Sequence, residues 1–230
     1  MSYSCLILGD SGTGKTCSLR NLDPSKCLLI QPVRKPLPFR NLGWKERKEK
    51  GDGGNVFVTT NTLYMLEAMK RATADIIIVD DFQYILSFQY MQRRNEKSFD
   101  KFLDIGGAGF DICKLASELA ENKRVYVLAH THTEDGRTRI KTLGKLLDDK
   151  IVLEGMFTTV LRTAVDGDNY LFSTHNSGSD TVKSPMGMFS EHFIENDLAA
   201  VDRTICEFYG IEAAPSHISL TNKRIENVEN

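Results

Sequence analysis

Apolar residues gather in five short runs: residues 3 to 8 (YSCLIL), 27 to 31 (CLLIQ), 55 to 59 (NVFVT), 75 to 80 (DIIIVD) and 124 to 131 (RVYVLAHT). Several of them lack polar alternation, the pattern of strands covered on both faces. Between the runs the spacing of apolar positions changes from two to three and four. Residues 14 to 21, 62 to 73 (Leu63, Leu66, Met69, Ala72) and 109 to 122 (Ile112, Leu115, Leu119) read as helices. Strand and helix in alternation predict an α/β fold with a mostly parallel central sheet flanked by helices.

The last third reads differently. TTVLRTAV and NYLFST are separated by Asp166, Gly167 and Asp168, which predicts a C-terminal β-hairpin added to the sheet. Asn196 or Asp197 then caps a helix with Leu198, Val201, Ile205 and Phe208 on one face, ended by Gly210. Residues 1–212 are expected to form a single domain, interrupted by a Pro-, Gly- and charge-rich insertion at 32–54. Residues 213–230 are polar and aperiodic and read as a C-terminal extension.

Composition narrows the function classes. With 41% hydrophobic and 26% charged residues in 230, the chain has the balance of a folded domain rather than a disordered or fibrous one. Its longest apolar run is far too short to cross a bilayer, and MSYSCLILGDSG has no basic stretch before its apolar run. No membrane partner and no export signal are expected. Five scattered cysteines (Cys5, Cys17, Cys27, Cys113, Cys206) without a CxxC suggest neither a disulfide framework nor a zinc ribbon, so a reducing cytoplasmic location is expected. A net charge of -2 means that nucleic acid would have to be held by a local patch.

The chemistry is concentrated in Gly9, Asp10, Ser11, Gly12, Thr13, Gly14, Lys15 and Thr16. GDSGTGKT matches the phosphate-binding pattern G-x-x-x-x-G-K-[ST], placed after an apolar strand and before a helical stretch as that mechanism requires. The glycines let successive backbone N–H groups point at one centre, where a polyphosphate is held mainly by main chain, with Cys17 next in line. Lys15 would reach the β and γ phosphates of ATP, and the Thr16 hydroxyl would ligate Mg2+. Such a site needs a second metal-organising acid at the tip of a buried strand. Asp80, closing IIIVD, is that candidate, and Asp81 is the nearest candidate to orient an attacking water. The separation of Lys15 from Asp80 is too long for one βαβ unit of roughly 30 residues, which predicts further strands between them. His130 and Thr131, ending VYVLAHT, are candidate phosphate sensors. Nothing at zinc-like spacing accompanies His130 and His132, and His175, His192 and His217 stand alone.

Between Arg34 and Lys50, seven basic residues (Arg34, Lys35, Arg40, Lys45, Arg47, Lys48, Lys50) face two acids (Glu46, Glu49), a local +5 with Phe39 and Trp44 interleaved. Positive charge with aromatic faces suits single-stranded DNA; a solvated loop with a partly helical WKERKEK is the competing reading. After Asp81, the aromatics Phe82, Tyr84, Phe88, Tyr90 and Phe99 are expected mostly in the core, leaving Arg93 and Arg94 as DNA or subunit contacts.

GDSGTGKT, IIIVDDFQYIL, EKSFDKF, VYVLAHTHTEDGRTRIKTLGKLLDDKI and the late hairpin together resemble, over about residues 3 to 190, the phage-type P-loop ATPases with a cut-down RecA-like core, which include phage single-strand annealing ATPases. The resemblance implies the P-loop NTPase fold of the RecA-like (ASCE) class, ATP and Mg2+ as ligands, self-association, and work on single-stranded DNA with other replication or recombination proteins. It also implies that a basic residue of a neighbouring subunit completes the site: Lys141, Lys145 or Lys150. It gives Lys15, Asp80, Asp81 and His130 catalytic roles. Gln31 departs from that pattern, since it stands where a catalytic glutamate is usual and cannot act as a base. A small-molecule kinase and a nucleotide-gated helicase loader remain alternatives.

Overall fold

The computed structural model describes residues 1–40, 42–49, 51–143 and 151–211. Lys50, Lys145, Lys150 and the expected extension at 213–230 lie outside them.

Ten strands, β1 (Tyr3–Leu8), β2 (Cys27–Gln31), β3 (Val56–Val58), β4 (Ile76–Asp80), β5 (Arg124–Ala129), β6 (Thr131–Glu134), β7 (Arg137–Ile140), β8 (Thr159–Asp166), β9 (Asn169–Ser173) and β10 (Phe193–Glu195), form two sheets among the described residues. The larger has the order β10-β9-β8-β1-β5-β4-β2-β3. All neighbours from β8 to β3 pair in parallel; only β9 runs against them. The α/β expectation of a mostly parallel, helix-flanked central sheet holds, and so does the late hairpin, β8 and β9. This arrangement is compatible with a RecA-like fold.

Unbroken apolar runs became strands because both sheet faces are covered. Leu6, Leu8, Ile77, Val79, Val125 and Val127 pack with the helices α1 (Thr62–Arg71), α2 (Phe82–Gln92) and α3 (Asp100–Glu118) on one face. The alternate residues Cys5, Ile7, Ile78, Tyr126 and Leu128 pack with α4 (Leu198–Tyr209) on the other. Period-two side-chain alternation thus sends one strand into two cores.

Local signals set the helix ends. The Asn61 side chain accepts from the Tyr64 N–H at 3.2 Å and starts α1, and Asp197 rather than Asn196 caps α4, accepting from Ala199 N–H at 2.9 Å. Gly210, at φ 62°, ends α4. Four expectations need correction. The buried face of α1 runs through Met65 and Met69, and Leu63 is exposed. Phe208 is also exposed, although the other three apolar positions of α4 are buried. α3 begins at Asp100, nine positions before the expected 109, because Gly106, Gly107 and Gly109 dilute the helical signal of a segment that tertiary packing nevertheless holds helical. The stretch expected to form a helix at 14 to 21 is a 3-10 helix, Thr16–Asn21.

Across the second core, Arg124 donates to both Asp202 carboxylate oxygens at 3.0 and 3.1 Å, and the Tyr126 hydroxyl donates to one of them at 2.6 Å. This cluster ties β5 to α4. Removing the acid strands a buried guanidinium, so Asp202→Ala is expected to cost about 3–5 kcal/mol, read as a large fall in Tm. A Tm within a degree of the parent would show that the pair contributes nothing.

Candidate functional site

The chain leaves β1 at Leu8 and turns through Gly9–Lys15 at the C-terminal edge of the sheet. Gly12 and Gly14 adopt φ 80° and 97°, a region in which a side chain is strained. At Gly9 an added Cβ would lie 1.8 Å from Thr163 Oγ1 on β8, so the loop is seated against the neighbouring strand. The Thr13 hydroxyl meets the same Thr163 hydroxyl at 2.6 Å. Asp10, Ser11 and Gly12 form the exposed tip, whereas Gly14 and Lys15 are buried. Lys15 Nζ donates to the Gly9 and Asp10 carbonyls at 2.8 and 3.0 Å. Cys17 is half-buried, and its carbonyl accepts from Arg20.

Three parallel strands bring the other candidates to this loop. β4 ends in Asp80, whose Oδ2 accepts from the Thr16 hydroxyl at 2.9 Å and from Gln31 Nε2, at the end of β2, at 3.2 Å. Asp80 Oδ1 is buried and has no hydrogen-bond partner, and Asp81 Oδ1 is in the same condition. His130, just past β5, lies between the two halves of the site: its Nδ1 is 3.5 Å from Lys15 Nζ and its Nε2 is 3.5 Å from Asp81 Oδ2. The Thr131 hydroxyl donates to the Asp10 carboxylate. Lys15, Thr16, Asp80, Asp81 and His130, scattered along the sequence, therefore form one cluster.

The two acids differ in how readily they ionise. Burial, with the adjacent Asp81 charge second, pushes the Asp80 carboxyl up to about 6. Burial also opposes ionisation of Asp81, but His130, Lys35 and Lys15 outweigh it and hold this carboxyl below the usual carboxylate range. Lys15 is shifted down by burial against the pull of Asp81 and Asp80. A Mg2+ ion fits this donor set: a hydroxyl and a carboxylate already converge, and the second carboxylate oxygen is buried without a partner. No cluster of three or more His, Cys, Asp or Glu with metal-binding geometry exists among the described residues, and Mg2+ bound through one or two protein groups and substrate phosphates needs none.

Sequence reasoning missed two members. Gln31 holds Asp80 in place, a role read only as the absence of a base. Lys35, counted as one charge among seven, lies with Nζ 3.1 Å from Asp81 Oδ2. The insertion around it is also more ordered than a solvated loop. Trp44 is buried with Phe39 at its edge, Glu46 bridges to Val56, and Arg47 lies over the Phe57 ring. WKERKEK is not helical over its described residues, and Trp44 is unavailable for base stacking. Past Asp81 the expectation of a mostly buried aromatic set also fails: Phe82 is buried, but Tyr84, Tyr90 and Phe99 are exposed. Arg93 is engaged by Glu96 and Asp104, while the Arg94 guanidinium donates to the Met91 carbonyl. His175 and His192, isolated in sequence, stack at 4.5 Å between ring centres.

Comparison of the chain with protein-family models and with curated proteins finds no match.

Proposed function

We propose that this chain binds ATP with Mg2+ and hydrolyses it, as a P-loop ATPase of RecA-like architecture acting on single-stranded DNA in phage replication or recombination. One observation carries the reading: Thr16, directly after the buried loop lysine, donates at 2.9 Å to the acid that ends a separate inner strand, and that acid keeps a free buried oxygen. The strand order supports the RecA-like branch, because β5 intervenes between the loop strand β1 and the acid strand β4.

In this reading the triphosphate lies over the backbone N–H groups of Gly12–Thr16, and Lys15 exchanges its two loop carbonyls for phosphate oxygens. Thr16 and Asp80 would hold Mg2+, which neutralises phosphate charge when bound. Asp81 orients a water whose oxygen bonds to the γ phosphorus while the bond to the β–γ bridging oxygen breaks. ADP leaves with that electron pair, and the water's proton passes to Asp81 and on to solvent. A carboxylate held this strongly ionised is a weak base, so turnover is slow while the His130 contact persists. His130, near both Lys15 and Asp81, senses whether phosphate occupies the space between them. The free state of all five cysteines suits a reducing cytoplasm, and no helix among the described residues is long and apolar enough to cross a membrane.

The test is ATP hydrolysis with and without single-stranded DNA, beside a mass measurement with nucleotide present. Release of ADP and phosphate to water supports the reading. Nucleotide binding without turnover would instead favour a nucleotide-gated adaptor, and a phosphorylated small molecule would favour a kinase.

The DNA contact rests on exposed charge at Lys45, Arg47 and Lys48, since the aromatic half of the patch is buried. Neutralising Lys45, Arg47, Lys48 and Lys50 together is expected to weaken single-strand binding and to flatten its salt dependence. Four lost phosphate contacts lower the slope of log K against log salt by about 3. Unchanged affinity and slope would remove this loop from the DNA path.

A further inference from the structure

We infer that Lys35 is a second phosphate-binding cation of the same site, supplied by the chain itself, which leaves Asp81 to contact the γ-phosphate when a nucleoside triphosphate enters. The inference rests on the nucleotide reading above and deepens it by naming the group that tells a triphosphate from a diphosphate.

The placement is specific. β2 ends at Gln31, which is bonded to Asp80, and four residues later the chain brings Lys35 Nζ to 3.1 Å from Asp81 Oδ2. His130 Nε2 approaches the same oxygen at 3.5 Å, and the other nitrogen of that ring is 3.5 Å from Lys15 Nζ. One Asp81 oxygen therefore meets both Lys35 and His130, and the other side of that imidazole lies beside the second ammonium group, Lys15. The remaining charges of the insertion are committed or turned away. Arg34 pairs with Glu46, Arg47 donates to the Gly54 carbonyl, and Lys45 and Lys48 face solvent. Of the basic residues described in 34–49, only Lys35 reaches the acids.

Charge balance gives the direction of movement. Without a ligand, Lys15 and Lys35 balance Asp80 and Asp81. An incoming triphosphate adds anionic oxygens beside Lys15, which bind an ammonium more strongly than a single carboxylate oxygen does. The Lys35 side chain is 37% exposed, against 6% for Asp81, so the lysine is the partner with room to move. The base of the loop, anchored by buried Trp44, stays in place and limits how far that lysine can travel. Once Lys35 has moved, Asp81 loses its ion-pair partner and is free to orient water. Lys141, the one described candidate for a lysine donated by a neighbouring subunit, has an exposed side chain, and its backbone N–H donates to the His130 carbonyl at 2.8 Å.

The test compares wild type, Lys35→Ala and Lys35→Arg for binding of ADP and of a slowly hydrolysed ATP analogue, with Mg2+, and for hydrolysis at several protein concentrations. Lys35→Ala is expected to weaken the triphosphate analogue about 10-fold or more and to lower kcat about 100-fold, while ADP affinity stays within about twofold. Lys35→Arg should restore most of the preference for triphosphate, and kcat per chain should not rise with protein concentration. Equal loss for both nucleotides, or an unchanged triphosphate preference with unchanged kcat, overturns the inference while leaving the ATPase reading intact. A wild-type chain that binds neither nucleotide overturns the ATPase reading itself. Thermal melting of each variant identifies any loss due to misfolding, and Lys35→Arg keeps the comparison valid if Lys35→Ala is destabilised.

Discussion

Lys15→Ala is expected to abolish measurable ATP binding, with affinity lowered at least about 100-fold and turnover about 1,000-fold. The size follows from what Lys15 does. Its ammonium is almost fully buried, spans the Gly9 and Asp10 carbonyls at 2.8 and 3.0 Å, and lies beside His130, so it is already within the curve of the loop that would receive phosphate. Each charge-assisted hydrogen bond to phosphate contributes about 1.5–3 kcal/mol. Two such bonds account for the loss, and their absence in the transition state adds the kinetic penalty. The nucleotide-free fold should tolerate the change. Burial shifts this lysine downward despite the neighbouring Asp81 and Asp80, so the empty protein gains little from keeping the cation there. Titration with a fluorescent ATP analogue, beside a melting curve, separates the two effects. Hydrolysis by Lys15→Ala within tenfold of wild type would show that the site lies elsewhere.

Residues read locally were legible in the sequence, and residues whose role depends on another segment were not. The loop GDSGTGKT and the acid Asp80 could be paired before the fold was known because each needs only its own strand: the glycines make the turn and IIIVD buries itself. The stretch between them also pointed to intervening strands. The hairpin of β6 and β7 was missed because THTE and RTRI contain almost no apolar residue, although Asp135 and Gly136, at φ 50° and 73°, form the tight turn that Asp-Gly signals. Trp44 looked available for stacking because its neighbours are charged; its burial depends on the pairing of Glu46 with Val56, which no local pattern encodes. Lys35 was hidden for the same reason. It sits in a run read for its net charge, between Arg34 and Pro36, but the group it meets, Asp81, lies 46 residues away, just past β4. Gln31 shows the cost of reading by analogy alone: as a missing base it signalled a deficiency, yet its amide fixes Asp80.

Asp80→Asn is expected to eliminate Mg2+-dependent hydrolysis, about 1,000-fold or more, without lowering the Tm of the nucleotide-free protein. The two halves of this prediction have one cause. Asp80 is fully buried, one of its oxygens has no partner, and Asp81 lies next to it; burial and that like charge push its carboxyl up to about 6. A carboxyl whose folded value is raised above its unfolded one is ionised at a cost as pH rises through that range, so at pH 7 the native acid subtracts from stability. The amide carries no charge and keeps an acceptor for the Thr16 hydroxyl, which removes the penalty while preserving the contact. It also removes the carboxylate that meets Thr16 among the described residues, and with it the grip on Mg2+ that the proposed function assigns to it. A protein that retains such a strained acid gives up stability for function. Mg2+ titration of hydrolysis and melting with and without Mg2+ and nucleotide test both halves: wild type should gain Tm from Mg2+ with nucleotide, and Asp80→Asn should gain little. If Asp80→Asn kept wild-type Mg2+ dependence, or melted several degrees lower, Asp80 would be a structural acid and the metal would have to be held by other residues.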